Sequence, residues 1–333
     1  MRFSVALPTG YEGLGYPIGF VRDVTAFARL ARVAEACGYD GVWANDHLVT
    51  PEFLRGGTAG RPAFLEPLTT LAHVAAVTTR VRLGTAVLAL PLRDPVALAK
   101  QAATLDVLSG GRLTLGVGIG AYPEELAAAR PERARAGAAV AFGEVLEGLR
   151  RLLDEGGGSY EGSVVRYAGV ELAPPPRQRP LPIYVGGHSV AAIARAASWG
   201  QGWIPGWRPL AELRERVALL RDRLRDLGRG VRSVAIAPEL SAMIGRDHQA
   251  TVRRYESSLF VRHRTARDRT GRDPSLMAAA NLVGSGDAIR EKVAALADAG
   301  VDECAALAFP AETIDELVEQ WQRFSEDVVK RVP

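Results

Sequence analysis

Between residues 81 and 120 the chain reads VRLGTAVLALPLRDPVALAKQAATLDVLSGGRLTLGVGIG. Val81 to Leu90 is an almost unbroken apolar run, the pattern of a strand covered on both faces rather than one with a wet side. Pro95 sits where a first helical turn tolerates it, because its missing N–H would have no partner there in any case. Val96, Leu98, Ala99, Ala102, Leu105 and Leu108 follow at helical spacing, and Ser109-Gly110-Gly111 stops the helix. Arg112 to Val117 predicts the next strand. Strand, crossover helix and strand form a βαβ unit, which restricts the chain to the α/β folds.

The alternation runs along nearly the whole chain. Further strands are expected at Phe3–Pro8, Asp40–Ala44, Pro182–Val185, Gly202–Ile204, Val234–Ile244 and Glu303–Ala308, each followed by a helical pattern. Counting gives eight strand positions without a break in composition, which predicts an α/β fold, a (β/α)8 TIM barrel, over residues 1–333 as one domain. Two stretches depart from the pattern and are expected as insertions after strands 4 and 7. The first is rich in Gly and Pro (156–180), with short strands at Val164–Tyr167 and Val170–Leu172. The second is polar, Arg-rich and helical (246–276).

Composition narrows the function classes. A net charge of +3 is too small to argue for nucleic acid as a partner. No apolar stretch approaches the length of a membrane span, and the N-terminus does not read as a signal peptide, so a cytoplasmic protein is expected. Cys37 and Cys304 lack metal or redox spacing, and the five histidines are scattered, so no metal site is expected. HExxH, GxSxG and Walker patterns are absent.

In a barrel of this kind the site lies at the carboxyl ends of the strands. Asn45-Asp46-His47 ends the second strand with a carboxylate beside an imidazole, a pair able to hydrogen-bond a heterocycle edge or move a proton near neutral pH. Asp46 capping a loop and His47 merely packing is the structural alternative. Gly186-Gly187-His188-Ser189 joins the fifth strand to a helix, where open backbone and a helix start attract an anion. Gly116, Gly118, Gly120 and Ala121 formally satisfy GxGxxA, but the polar segment from Pro123 does not continue as a dinucleotide-binding unit. A large flat group against the strand ends is the better account of those glycines.

WANDH at 43–47, residues 66–120, PIYVGGHS at 182–189 and Gly202-Trp203, in this order, resemble the bacterial luciferase-like monooxygenase superfamily over almost the whole chain. The resemblance implies a barrel binding reduced FMN or the deazaflavin F420, and a non-proline cis peptide under the ring, placed at Ala86-Val87. It places Thr85, Ala86, Val87, Gly118 and Gly120 against the cofactor and Gly186, Gly187, His188 and Ser189 around its phosphate, with Trp203 walling that pocket. His47 is implied as the catalytic proton donor or acceptor, with Asp46 orienting it or the cofactor edge. The Asp-His pair looks more like the F420-using branches, and the Arg-rich insertion is a candidate contact for that cofactor's acidic tail. The expectation is therefore F420-dependent hydride transfer to or from a small, apolar or aromatic substrate. The alternatives are an FMN-dependent monooxygenase and a non-catalytic flavin-binding homologue. A flavin or F420 reductase partner and a homodimer through helices near 67–79 and 95–109 are implied by resemblance alone. Ala121 stands where sugar-phosphate dehydrogenases of the superfamily carry glutamate, which leaves the substrate open. The loops Tyr11–Phe20, Val49–Pro62 and Arg246–Leu276 are expected to shape its pocket.

Overall fold

Eight strand positions form a ring: β1 (Arg2–Ala6), β2 (Gly41–Ala44), β3 (Arg82–Thr85), β4 (Leu113–Gly118), β5 (Ile183–Gly186), β6 (Gly202–Ile204), β7 (Ala235–Ile236 with Glu239–Ile244) and β8 (Glu303–Ala308). The structure, a computed structural model, describes residues 1–54, 60–266 and 273–332. All pairings between these strands are parallel, as βαβ crossovers require. Closure occurs at β7. Ala237 and Glu239 donate to Trp203 and Pro205 on one side, while Ile236 and Pro238 accept from Asp302 and Ala305 on the other. The fold is the expected α/β barrel.

Burial on both faces explains the apolar strands, and size matching explains the glycines inside the ring. A Cβ on Gly84 would lie 2.2 Å from the Trp43 ring, and one on Gly202 would lie 2.3 Å from the Tyr184 ring. These two aromatic rings pack 5.9 Å apart, so large side chains on one strand fill the space that glycine leaves on the next. Gly116 belongs to the same device, since its Cβ would meet the Thr85 carbonyl oxygen at 1.8 Å. It serves packing, not a ligand.

The chain departs from the expected elements at four places. The apolar run Val81–Leu90 is not one strand: β3 stops at Thr85, the Ala86-Val87 peptide is cis, and Leu88–Ala89 pairs separately with β4. The seventh strand is split because Pro238 has no N–H to give the ladder. The first insertion holds a hairpin in which the two expected short strands are a single one, Arg166–Glu171, paired with Gly157–Glu161, a glycine-rich stretch that reads as loop in the sequence. A short strand, Leu282–Gly284, extends beside Ala242–Ile244 and carries too few residues to show a period. The Arg-rich insertion is helical at His248–Glu256 and Leu259–Ala266, as expected; residues 267–272 of it, like 55–59 of the Val49–Pro62 loop, lie outside the described residues. Among the described residues no helix is long and apolar enough to cross a membrane.

Candidate active site

A cavity of about 460 Å³ opens at the carboxyl ends of the strands. That is within the usual range for a small-molecule pocket. Its floor is the cis Ala86-Val87 segment. Val87 rests in a notch between two glycines, because a Cβ on Gly118 would lie 2.4 Å from Val87 Cγ2 and one on Gly186 would lie 2.9 Å from Val87 Cγ1. Only glycine at both positions keeps this floor low and open to a flat ligand. Gly120 and Gly187 turn the chain away at φ of 94° and 115°, conformations that side chains rarely adopt.

Asp46, His47, Ala86, Val87, Gly118, Gly120, Gly186, Gly187 and His188 all line this cavity. Thr85, Ser189 and Trp203 do not. Thr85 is fully buried and donates to the Gly116 carbonyl. Ser189 is spent as an N-cap, accepting from Ala192 N at the start of the helix Val190–Trp199. Trp203 lies in the core, where its indole N–H donates to Gly187 O at 2.7 Å. It braces the glycine turn from behind instead of walling the pocket.

Asp46 and His47 are adjacent in sequence but have different partners. The Asp46 carboxylate accepts from the Ala89 amide and is clamped by Arg93, whose Nη2 reaches Oδ1 at 2.5 Å and Nε reaches Oδ2 at 3.2 Å. Arg93 Nη1 also donates to Glu66, the N-cap of the helix Pro67–Val77. Burial works against the guanidinium charge, and the two carboxylates more than offset it, so Arg93 titrates above its ordinary value. Asp46 thus ties the floor segment to β2; it does not orient His47.

Glu125 holds the imidazole. Its Oε1 lies 2.8 Å from His47 Nδ1, with side chains only 6% and 10% exposed. A carboxylate can only accept, so Nδ1–H donates and Nε2 is left for other partners. Glu125 sits in the first turn of the helix Pro123–Ala129, one turn beyond Gly120, and the rings of Tyr122 and Phe64 pack 5.5 and 5.2 Å from the imidazole. Sequence reading passed over Glu125 because it lies 78 residues from His47 in a stretch that resembles solvent-facing helix.

The second insertion shapes the pocket as expected, but the residues that do so were not singled out in the sequence. The helix Leu259–Ala266 presents Phe260, His263 and Arg264 to the cavity, and His263 Nε2 lies 2.8 Å from the Tyr122 hydroxyl. The i, i+3, i+4 spacing of these three was the available signal. Of the arginines in this insertion that the structure describes, Arg264 alone lines the cavity.

The family model of luciferase-like monooxygenases matches residues 1–319. The chain belongs to that family. An uncharacterized protein of Mycobacterium tuberculosis (strain ATCC 25618 / H37Rv) is 35% identical over 215 residues, covering 61% of this chain and 73% of its own. The monooxygenase RslO1 of Streptomyces bottropensis superposes with a TM-score of 0.79 at 24% identity, covering 99% of both chains. The F420-dependent tetrahydromethanopterin reductase of Methanopyrus kandleri gives 0.74 at 18%, covering 100% of this chain and 99% of that one. The FMN-bound oxygenating constituent of 3,6-diketocamphane monooxygenase from Pseudomonas putida gives 0.75 at 17%, with the same coverage. At these identities the structures establish the shared fold. As a member of the luciferase-like monooxygenase family, the chain is an oxidoreductase.

Proposed function

We propose that this luciferase-like protein is an F420-dependent oxidoreductase acting on a small, mostly apolar or aromatic organic substrate. The observation that carries the proposal is the buried His47–Glu125 pair beside a low, glycine-edged floor. Hydride transfer to or from a C–O or C=C group needs a proton partner within reach, and an imidazole fixed by a carboxylate supplies one. F420, when bound, supplies the hydride chemistry. Val87, Gly118 and Gly186 would carry its flat ring, and Gly187 and His188 would lie nearest its phosphate. His47 holds or moves the proton at Nε2, while Glu125 keeps Nδ1 protonated. The helix Leu259–Ala266 covers one side of the cavity with Phe260, His263 and Arg264.

Titration of the purified protein with F420 and with FMN, read by cofactor fluorescence, tests the cofactor. Micromolar or tighter F420 binding with FMN much weaker is expected; the reverse preference replaces this reading with an FMN-dependent monooxygenase. His47→Ala should lower turnover by about 100-fold or more and leave cofactor binding largely intact. Equal turnover in that variant would remove His47 from the chemistry.

A further inference from the structure

One cluster in the cavity is not used by this proton chemistry. Arg264 Nη2 donates to Glu239 Oε1 at 2.9 Å, and its guanidinium carbon lies 4.9 Å over the Phe260 ring. Tyr11 stands against both charged groups, and its ring lies 6.4 Å from that of Phe260. All four residues line the cavity, together with the apolar side chain of Leu14.

We infer that Arg264, Glu239 and Tyr11 form the substrate-recognition edge of this cavity, and that they select a neutral aromatic compound bearing a hydroxyl or carbonyl oxygen. The inference rests on the reading above that this cavity takes the substrate.

Charge bookkeeping decides the ligand class. A guanidinium carries five N–H donors; Glu239 takes one and the Tyr11 hydroxyl oxygen stands against another, so donors remain for a ligand oxygen. The charge itself is already matched, Arg264 by Glu239 and Arg93 by Asp46. A carboxylate or phosphate set against Arg264 would meet Glu239 at the same place, and like charges in a partly dry cavity repel strongly. A neutral oxygen avoids that penalty. A carbonyl accepts from the guanidinium, and a hydroxyl can also donate to Glu239. Burial, with the Glu239 charge beside it, pushes the Tyr11 phenol far above its ordinary range, so Tyr11 remains a donor. Phe260, Tyr11 and Tyr122 supply faces for an aromatic body.

Three probes of one shape test this on the full chain: 2-naphthol, 2-methylnaphthalene and 2-naphthoate, with binding read by probe fluorescence. The native protein should bind 2-naphthol about 10-fold more tightly than either of the others. Arg264→Met should remove that preference, Arg264→Lys should retain part of it, and Arg262→Met, on the exposed side of the same helix, should leave it intact. Glu239→Gln should raise 2-naphthoate affinity by about fivefold or more as the repulsion is lifted. Unchanged 2-naphthol binding in Arg264→Met, or 2-naphthoate as the tightest probe of the native protein, overturns the inference. The measurement needs neither turnover nor added cofactor, so it stands whether or not F420 proves to be the cofactor.

Discussion

Replacing Glu125 by Gln keeps the side chain's size but removes the charge that holds His47. The pair is joined by one charge-assisted hydrogen bond of 2.8 Å between side chains that are 10% and 6% exposed. Such a bond contributes about 1.5–3 kcal/mol. At about 1.4 kcal/mol per tenfold in rate, losing its orienting effect at the reacting proton lowers kcat by about 10- to 150-fold. The amide can donate as well as accept, so the ring also becomes free to protonate at Nε2 instead of Nδ1. Glu125 does not line the cavity, so cofactor affinity should stay within about twofold. Three readouts separate this positioning role from a structural one. Steady-state kinetics should show the loss in kcat rather than KM. Imidazole ¹⁵N shifts of His47 should change from the Nδ1–H pattern toward a mixture of tautomers. Glu125→Asp should recover part of the rate. A Gln variant with native kcat and a native ¹⁵N pattern would refute the role assigned to Glu125, and a loss of cofactor binding matching the loss of rate would reduce it to scaffolding.

Two further predictions concern the floor and its anchor. Gly118→Ala should lower cofactor affinity by at least about tenfold, because its Cβ would lie 2.4 Å from Val87 Cγ2 and drive that side chain up into the cavity. Gly116→Ala, with its Cβ at 1.8 Å from a backbone oxygen, should fail to fold instead, and a fluorescence titration beside a thermal melt distinguishes the two. Burial opposes the Glu66 charge, yet the Thr69 amide and Arg93 hold this carboxyl below its usual 4.5. A depressed carboxyl adds stability above its unfolded pKa and loses it as pH falls through the folded value. Urea midpoints of the native protein should therefore drop below about pH 4.5 more steeply than those of Glu66→Gln, and parallel acid limbs would contradict the assignment.

The barrel was legible in the sequence because parallel strands buried on both faces require long apolar runs, and crossover helices require period-3.6 patterns between them. The cavity floor was legible for a related reason: Gly118, Gly186 and Gly187 lie at strand ends, and strand ends share one rim of the barrel. Local pattern could not assign partners. Asp46 and His47 are neighbours in the chain, yet Arg93 takes one and Glu125 the other, because consecutive residues at a strand end point in different directions. Trp203 and Ser189 lie beside the glycine turn in sequence or in space, but a core hydrogen bond and a helix cap already engage them. That the loops Tyr11–Phe20 and Arg246–Leu276 shape the pocket was legible, but which of their residues meet there was not. Phe260, His263 and Arg264 join Tyr11, Tyr122 and Glu239 only when the second insertion folds back across the barrel mouth. Burial and periodicity are properties of one segment and are written in its residues; ion pairs and cavity walls join segments far apart in the chain, and tertiary packing alone decides them.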